Sequence, residues 1–213
     1  MRCDKKSLLL YAVTDRSWVG KLTLYEQVEL ALKGGATCVQ LREKELDENA
    51  FLEEAIAVGK LCRAYRVPFL IDDDAGVAVQ SGADGVHVGQ CDMSAGDVRK
   101  MIGGGMILGV SAQTVAQAVQ AEKDGADYLG VGAVFATSTK LDAETVSLET
   151  LKAICASVSI PVVAIGGIGR QNILRLAGTG VDGVALVSAV FGSPDIEAEC
   201  RVLRALSEEM VSA

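Results

Sequence analysis

Two cations close a short apolar run in Val39-Gln40-Leu41-Arg42-Glu43-Lys44. In extended backbone alternate residues share a face, so Gln40, Arg42 and Lys44 project together. A guanidinium can grip two phosphate oxygens at once, while an ammonium on a flexible stem adds a movable point charge. The pair therefore fits an anion, although Arg42 could equally be spent on Glu43 or Glu45 at a solvated strand end. The whole chain of 213 residues carries a formal charge of -8. With a sequence pI of about 4.8, it is a poor surface for nucleic acid or an anionic membrane, so positive field for a phosphate must be local.

Carboxylates gather next. Asp72, Asp73 and Asp74 end one apolar run and Asp92 follows another. Asp73 and Asp92, on neighbouring strands, could share one Mg2+, a hard cation that favours carboxylates, water and phosphate oxygens. Capping of the following helices is the competing use, and Asp74 is expected to serve there. His87 is the only histidine, which weighs against a histidine-rich zinc site and favours hydrogen-bonded packing. Ser111 ends another run with no histidine or aspartate assignable as its base, so it reads as a ligand donor, not a nucleophile.

Three further segments could hold a phosphate. Gly132-Ala133-Val134-Phe135-Ala136-Thr137-Ser138-Thr139-Lys140 continues to about Val146, a connection of roughly 15 residues that exceeds the usual length and points to a lid or binding loop. It carries Thr137, Ser138, Thr139 and Lys140, although a surface loop without a role would look similar. Gly166-Gly167 and Val187-Ser188 end the last two runs. Backbone N–H groups at such places bind phosphate in many barrels.

The elements that must position these groups are eight strand-length apolar runs, near 8–13, 37–41, 68–72, 84–88, 106–110, 127–131, 161–165 and 183–187. Helical spacing fills 23–34, 47–64, 74–81, 94–102, 113–123, 147–157, 169–177 and 194–210. Strands alternating with helices imply parallel crossovers. Four copies of a Gly-small-Asp-like turn, starting at Gly35, Gly82, Gly125 and Gly180, lie 47, 43 and 55 residues apart, each period holding two βα units. The expectation is an α/β protein with a single (β/α)8 TIM barrel over residues 1–213, in preference to an open doubly wound sheet. The polar residues at these strand ends then meet at the C-terminal face of the barrel. Ser193-Pro194-Asp195 reads as N-cap, first position and first-turn acid of the last helix.

Half of the residues are hydrophobic, with aromatics at only 4%, as small-residue helices over parallel strands require. Six cysteines form no C-x-x-C pair, which predicts reduced, mostly buried thiols and a cytoplasmic protein. The apolar run from Leu8 to Val13 is too short to span a membrane.

Taken together, seven motifs resemble the thiamin phosphate synthase family over nearly the whole chain. They are Tyr11-Ala12-Val13-Thr14-Asp15, Gln40-Leu41-Arg42-Glu43-Lys44, Asp84-Gly85-Val86-His87-Val88-Gly89-Gln90, Gly109-Val110-Ser111, Thr137-Ser138-Thr139-Lys140, Ile165-Gly166-Gly167-Ile168 and Val187-Ser188-Ala189. The resemblance implies a Mg2+-dependent transferase that joins hydroxymethylpyrimidine diphosphate to hydroxyethylthiazole phosphate and releases pyrophosphate. It implies that Gln40, Leu41, Arg42, Glu43, Lys44, Ser111 and Lys140 hold the pyrimidine diphosphate, and Asp73 and Asp92 the metal. Thr137, Ser138, Thr139, Gly167, Val187 and Ser188 are implied for the thiazole phosphate. Arg42, Lys44, Lys140 and Ser111 are the implied catalytic groups. Asp72 joins the substrate-binding set, although the family usually has Asn there. Gln113 replaces a usual His, and Ala133 and Ala136 replace usual prolines.

A thiazole tautomerase on the same barrel is the alternative, and retention of Arg42, Lys44, Asp73, Asp92 and Lys140 argues against it. A non-catalytic thiamin-phosphate-binding regulatory barrel, or another phosphate-binding barrel enzyme, are further alternatives. Small-molecule substrates are the expected partners, with no nucleic acid and no membrane, and a homo-oligomer is compatible with exposed barrel helices.

Overall fold

The computed structural model describes residues 3–137 and 145–213. Eight parallel strands close into a barrel in sequence order. They are β1 (Leu10–Val13), β2 (Cys38–Leu41), β3 (Phe69–Asp72), β4 (Gly85–Val88), β5 (Ile107–Ala112), β6 (Tyr128–Val131), β7 (Val162–Ile165) and β8 (Gly183–Leu186). Closure leaves no sheet edge, and β1 pairs with β8 through Leu10–Val184, Tyr11–Ala185 and Ala12–Leu186. The expected barrel is thus the observed one.

Helices α1 (Leu24–Lys33), α2 (Glu48–Tyr65), α3 (Ala75–Ser81), α4 (Ala95–Ile102), α5 (Val115–Lys123), α6 (Leu148–Ser157), α7 (Ser188–Phe191) and α8 (Ile196–Ser212) surround it. Their starts are written in side chains. Thr23 and Thr114 form capping boxes with Glu26 and Gln117. Asp74 caps α3 by accepting from the Val77 N–H at 2.8 Å, as its position predicts.

The sequence repeat has a structural purpose beyond its turn. At each copy the third residue of the turn reaches back to an N–H at the start of the preceding odd-numbered strand. Thr37 accepts from Leu10 N at 2.8 Å, and Asp84 from Phe69 N at 2.9 Å. Asp127 accepts from Leu108 N and Asp182 from Val162 N, both at 2.9 Å. These bonds satisfy amides at the barrel floor that would otherwise be buried without partners.

Two places differ from expectation. The segment 169–177 is no α-helix but a single 3-10 turn, Ile173–Leu176. Asn172 competes with the backbone there: its side chain accepts from Gly169 N at 2.9 Å and donates to Gly167 O at 2.8 Å. The last helix is capped by Asp195, which accepts from Ala198 N at 3.0 Å, and begins at Ile196, two residues later than Ser193-Pro194 implies. Ser193 instead accepts from Asp195 N, which folds the entry turn.

Apolar residues form two bodies. The larger lies between strands and helices, with Leu10, Val39, Leu41, Ile71, Val86 and Leu129 facing outward onto the helical shell. The smaller fills the barrel itself with Tyr11, Val13, Cys38, Leu70, Ile107, Tyr128, Val163 and Ala185. Strand alternation sends every second residue inward, so the next inward layer above this plug is the mouth.

Candidate active site

The mouth is polar where the plug is apolar. On β2, Gln40 is buried and directed inward, and its Nε2 donates to the Tyr11 hydroxyl at 2.7 Å. Arg42 follows at the rim. Its Nη1 lies 3.1 Å from Asp15 Oδ2 and its Nε 3.7 Å from Asp72 Oδ2. Arg42 thus pairs with neither Glu43 nor Glu45 but stands between Asp15, in the loop after β1, and Asp72, at the end of β3. Leu41, by contrast, is fully buried under the helical shell and can offer the mouth only main chain.

Glu43 is the organiser of the loop that follows. Its carboxylate accepts from Lys44 N at 2.8 Å, Glu45 N at 2.7 Å and Leu46 N at 3.3 Å, and pairs with Arg16, which also reaches Glu54 at 2.6 Å. Burial alone would raise its pKa, but Arg16 and the N–H donors hold it below the ordinary value. This leaves Arg42 and Lys44 on a loop held rigid by an internal anion. Asp15, Arg42, Glu43 and Lys44 line a rim pocket of about 230 Å³.

At the end of β3 the chain turns sharply. Asp73 takes a left-handed conformation, φ 63°, and its N–H donates to the His87 carbonyl at 2.8 Å. Such a conformation is uncommon outside glycine, and aspartate is among the residues that tolerate it. The turn aims Asp73 at the Lys44 ammonium, with which it pairs, and at Asp92. Asp92 in turn accepts from Gly89 N at 2.7 Å. Burial and Asp92 raise the Asp73 pKa against the pull of Lys44. Asp72, deeper still, is pushed up to about 7, first by burial and then by Asp73, despite Arg42 and Lys44 nearby. Among the described residues no three His, Cys, Asp or Glu side chains converge as a metal cage. Two carboxylates close enough to repel, at a solvent-reached rim, fit instead a hard divalent cation that completes its shell with water and phosphate oxygens.

On the loops after β6, β7 and β8, Thr137, Gly167, Gly169, Gln171, Ser188 and Ala189 line a second pocket of about 300 Å³. Gly167 is required by the close approach of the β6 loop. It has φ 65°, and a Cβ there would stand 2.3 Å from the Ala136 carbonyl oxygen. Val187 packs on the barrel plug and leads into the four-residue α7, where Ser188 faces the pocket. Ser138, Thr139 and Lys140 lie outside the described residues.

The floor of the mouth holds residues that the motifs contained without a role. Tyr11 and Tyr128 hydroxyls meet at 2.9 Å, Tyr128 bonds to His87 Nδ1 at 2.8 Å, and His87 Nε2 to Ser111 Oγ at 2.9 Å. His87 is therefore packed and hydrogen-bonded, as its solitary occurrence predicts. Burial drops its pKa to about 4, so the ring is neutral at pH 7. A signal for the tyrosines was present: two of the four in an aromatic-poor chain sit at inward strand positions. Cys38, Cys62 and Cys200 are buried, Cys3 and Cys155 half-buried and Cys91 exposed, and all six are free thiols.

With this geometry in hand, the comparisons with known proteins point one way. Residues 10–190 match the family described as thiamine monophosphate synthase. A thiamine-phosphate synthase of Ruminiclostridium cellulolyticum is 51% identical over 200 residues, covering 94% of this chain and 95% of that protein. One from Clostridium acetobutylicum is 46% identical, covering 91% and 92%. The solved thiamine phosphate pyrophosphorylase of Pyrococcus furiosus superposes with a TM-score of 0.90 at 40% identity, covering 97% of this chain and 98% of the other.

Proposed function

The chain belongs to the thiamine monophosphate synthase family, and from that premise we propose how its barrel mouth makes thiamin phosphate. The activity is that of a thiamine-phosphate synthase, a transferase that joins hydroxymethylpyrimidine diphosphate to hydroxyethylthiazole phosphate with release of pyrophosphate. The residue roles below are our reading. The observation that carries them is two pockets at one mouth, one on the loops after β1 and β2 and one on the loops after β6, β7 and β8, with Gln40 and Ser111 at the inner ends of β2 and β5.

Arg42 and Lys44 hold the diphosphate on the β1–β2 side, and Lys140 is the third cation assigned to it. Main-chain N–H groups around Gly167 and Ser188, with Thr137, Ser138 and Thr139, hold the thiazole phosphate on the β6–β8 side. Gln40 and Ser111 orient the pyrimidine above the plug, with Asp72 beside them. Asp73 and Asp92 hold Mg2+, which when bound neutralises charge on the leaving diphosphate. The carbon–oxygen bond to pyrophosphate breaks early, and the ring's amino group stabilises the resulting cation. Arg42, Lys44 and Lys140 neutralise the charge that develops on the leaving group, so they favour the transition state over the bound ester. The thiazole nitrogen, held against that carbon, forms the new bond with no enzyme nucleophile. No helix among the described residues is long and apolar enough to cross a membrane. With free thiols throughout, we place the reaction in the cytoplasm.

Pyrophosphate release from both substrates, with and without Mg2+, is the test. Release that needs both substrates and the metal, with thiamin phosphate formed, is expected. Saturable binding without turnover would replace this reading with a regulatory barrel.

A further inference from the structure

Four side chains from four strands, β1, β2, β4 and β6, and a fifth from β5 form one unbroken line of hydrogen bonds: Gln40, Tyr11, Tyr128, His87 and Ser111. Both tyrosines are essentially without solvent contact, at 1% and 0% exposure. Each hydroxyl has one proton to give and each neutral imidazole one N–H, so the bonds cannot be oriented independently. The Gln40 amide N donates to Tyr11, which commits the Tyr11 proton to Tyr128 and the Tyr128 proton to His87 Nδ1. His87 must then carry its proton on Nε2 and give it to Ser111 Oγ. At the far end the Ser111 proton has no place in the line and turns toward the mouth. At the near end Gln40 keeps its carbonyl oxygen for the mouth. Reversing any one bond reverses all of them, and both ends would exchange character.

We propose that Tyr11, Tyr128 and His87 are positioning residues whose hydrogen-bond line fixes Ser111 as a donor and Gln40 as an acceptor toward the bound ligand. The ligand it selects presents an acceptor atom opposite Ser111 and a donor opposite Gln40, as the edge of an aminated nitrogen heterocycle does. An analogue with the two swapped would leave both ends facing like groups, the kind of mismatch that buried polar sites reject strongly. The proposal rests on the reading of the mouth above for the ligand's identity. The orientation of the line itself does not.

The chain holds one histidine, so the nitrogen-15 spectrum of labelled protein reports the His87 tautomer without assignment. A single neutral species protonated on Nε2, kept on adding the pyrimidine diphosphate, is expected. Protonation on Nδ1, or a rapidly averaged pair, would overturn the proposal. A double-mutant cycle supplies the functional arm. Tyr128→Phe is expected to lower kcat/KM for the pyrimidine diphosphate about tenfold and to leave KM for the thiazole phosphate unchanged. In a Ser111→Ala background the same change should cost clearly less, since only the Gln40 end is left to disturb. Equal effects in both backgrounds would mean that Tyr128 only supports the fold, and would sink the idea. Tyr11→Phe, which breaks the line one step earlier, serves if Tyr128→Phe fails to fold. Inactive wild-type protein with the expected tautomer would instead count against the synthase reading, leaving the line intact.

Discussion

Asp72 lies against Arg42, with Oδ2 3.7 Å from Nε, yet its carboxyl is pushed up to about 7. Burial and the neighbouring Asp73 outweigh the guanidinium. Asp72 therefore changes charge near neutral pH in the metal-free protein.

The consequence for stability is a pair of opposed slopes. Asp72 binds its proton more tightly when folded, so it adds stability as pH falls from about 7 toward the ordinary aspartate value of 3.8. His87, depressed from 6.5 to about 4, is protonated first in the unfolded chain and removes stability over much the same window. Each is worth roughly 3 to 4 kcal/mol, so the two nearly cancel. Asp72→Asn should lose stability between pH 7 and pH 5, and His87→Gln should gain it. Urea unfolding of both metal-free variants at the two pH values decides; parallel behaviour would refute the assignment.

Lys140→Ala should lower kcat by about 100- to 1,000-fold, the usual cost of one donor facing developing charge. Near-normal turnover in steady-state assays would remove Lys140 from the leaving-group role.

Asp73→Asn and Asp92→Asn should each raise the Mg2+ concentration for half-maximal pyrophosphate release by roughly tenfold or more, since loss of even a supporting contact costs that much. A Mg2+ titration unchanged in both variants would place the metal elsewhere.

Gly167→Ala forces a side chain onto φ 65° and within 2.3 Å of a carbonyl oxygen. It should cost about 1 to 3 kcal/mol of stability and raise KM for the thiazole phosphate, with KM for the pyrimidine diphosphate little changed. Thermal unfolding and separate KM measurements test both halves.

Glu43→Ala removes the acceptor of three loop N–H groups and of Arg16. A loss of about 3 kcal/mol is expected. Proteolysis with cleavage at Lys44 should speed up, and an unchanged rate would show the loop is held by other means.

The barrel was legible because alternation and periodicity are local signals. Eight apolar runs, and glycines at Gly35, Gly82, Gly125 and Gly180, need no knowledge of distant contacts. The rim residues were legible for the same reason, since Arg42, Asp73 and Ser111 stand where strands end. What escaped depends on neighbours brought in by closure. The 3-10 turn at Ile173–Leu176 is decided by Asn172 gripping Gly167 and Gly169. Asp15 as the partner of Arg42, 27 residues away, needs β1 and β2 side by side. Tyr11 and Tyr128 meet across 117 residues, a distance over which no sequence period speaks.

Gly109 borders Tyr128 so closely that a Cβ would stand 2.2 Å from the ring. The phenol and the missing methyl occupy the same volume, so neither position can drift alone. Any bulkier residue at 109 requires the tyrosine to be given up, and losing the tyrosine alone leaves a hole that the glycine does not fill. The two positions are a single heritable unit, and a barrel of this kind set to read a different ring would show its change at both.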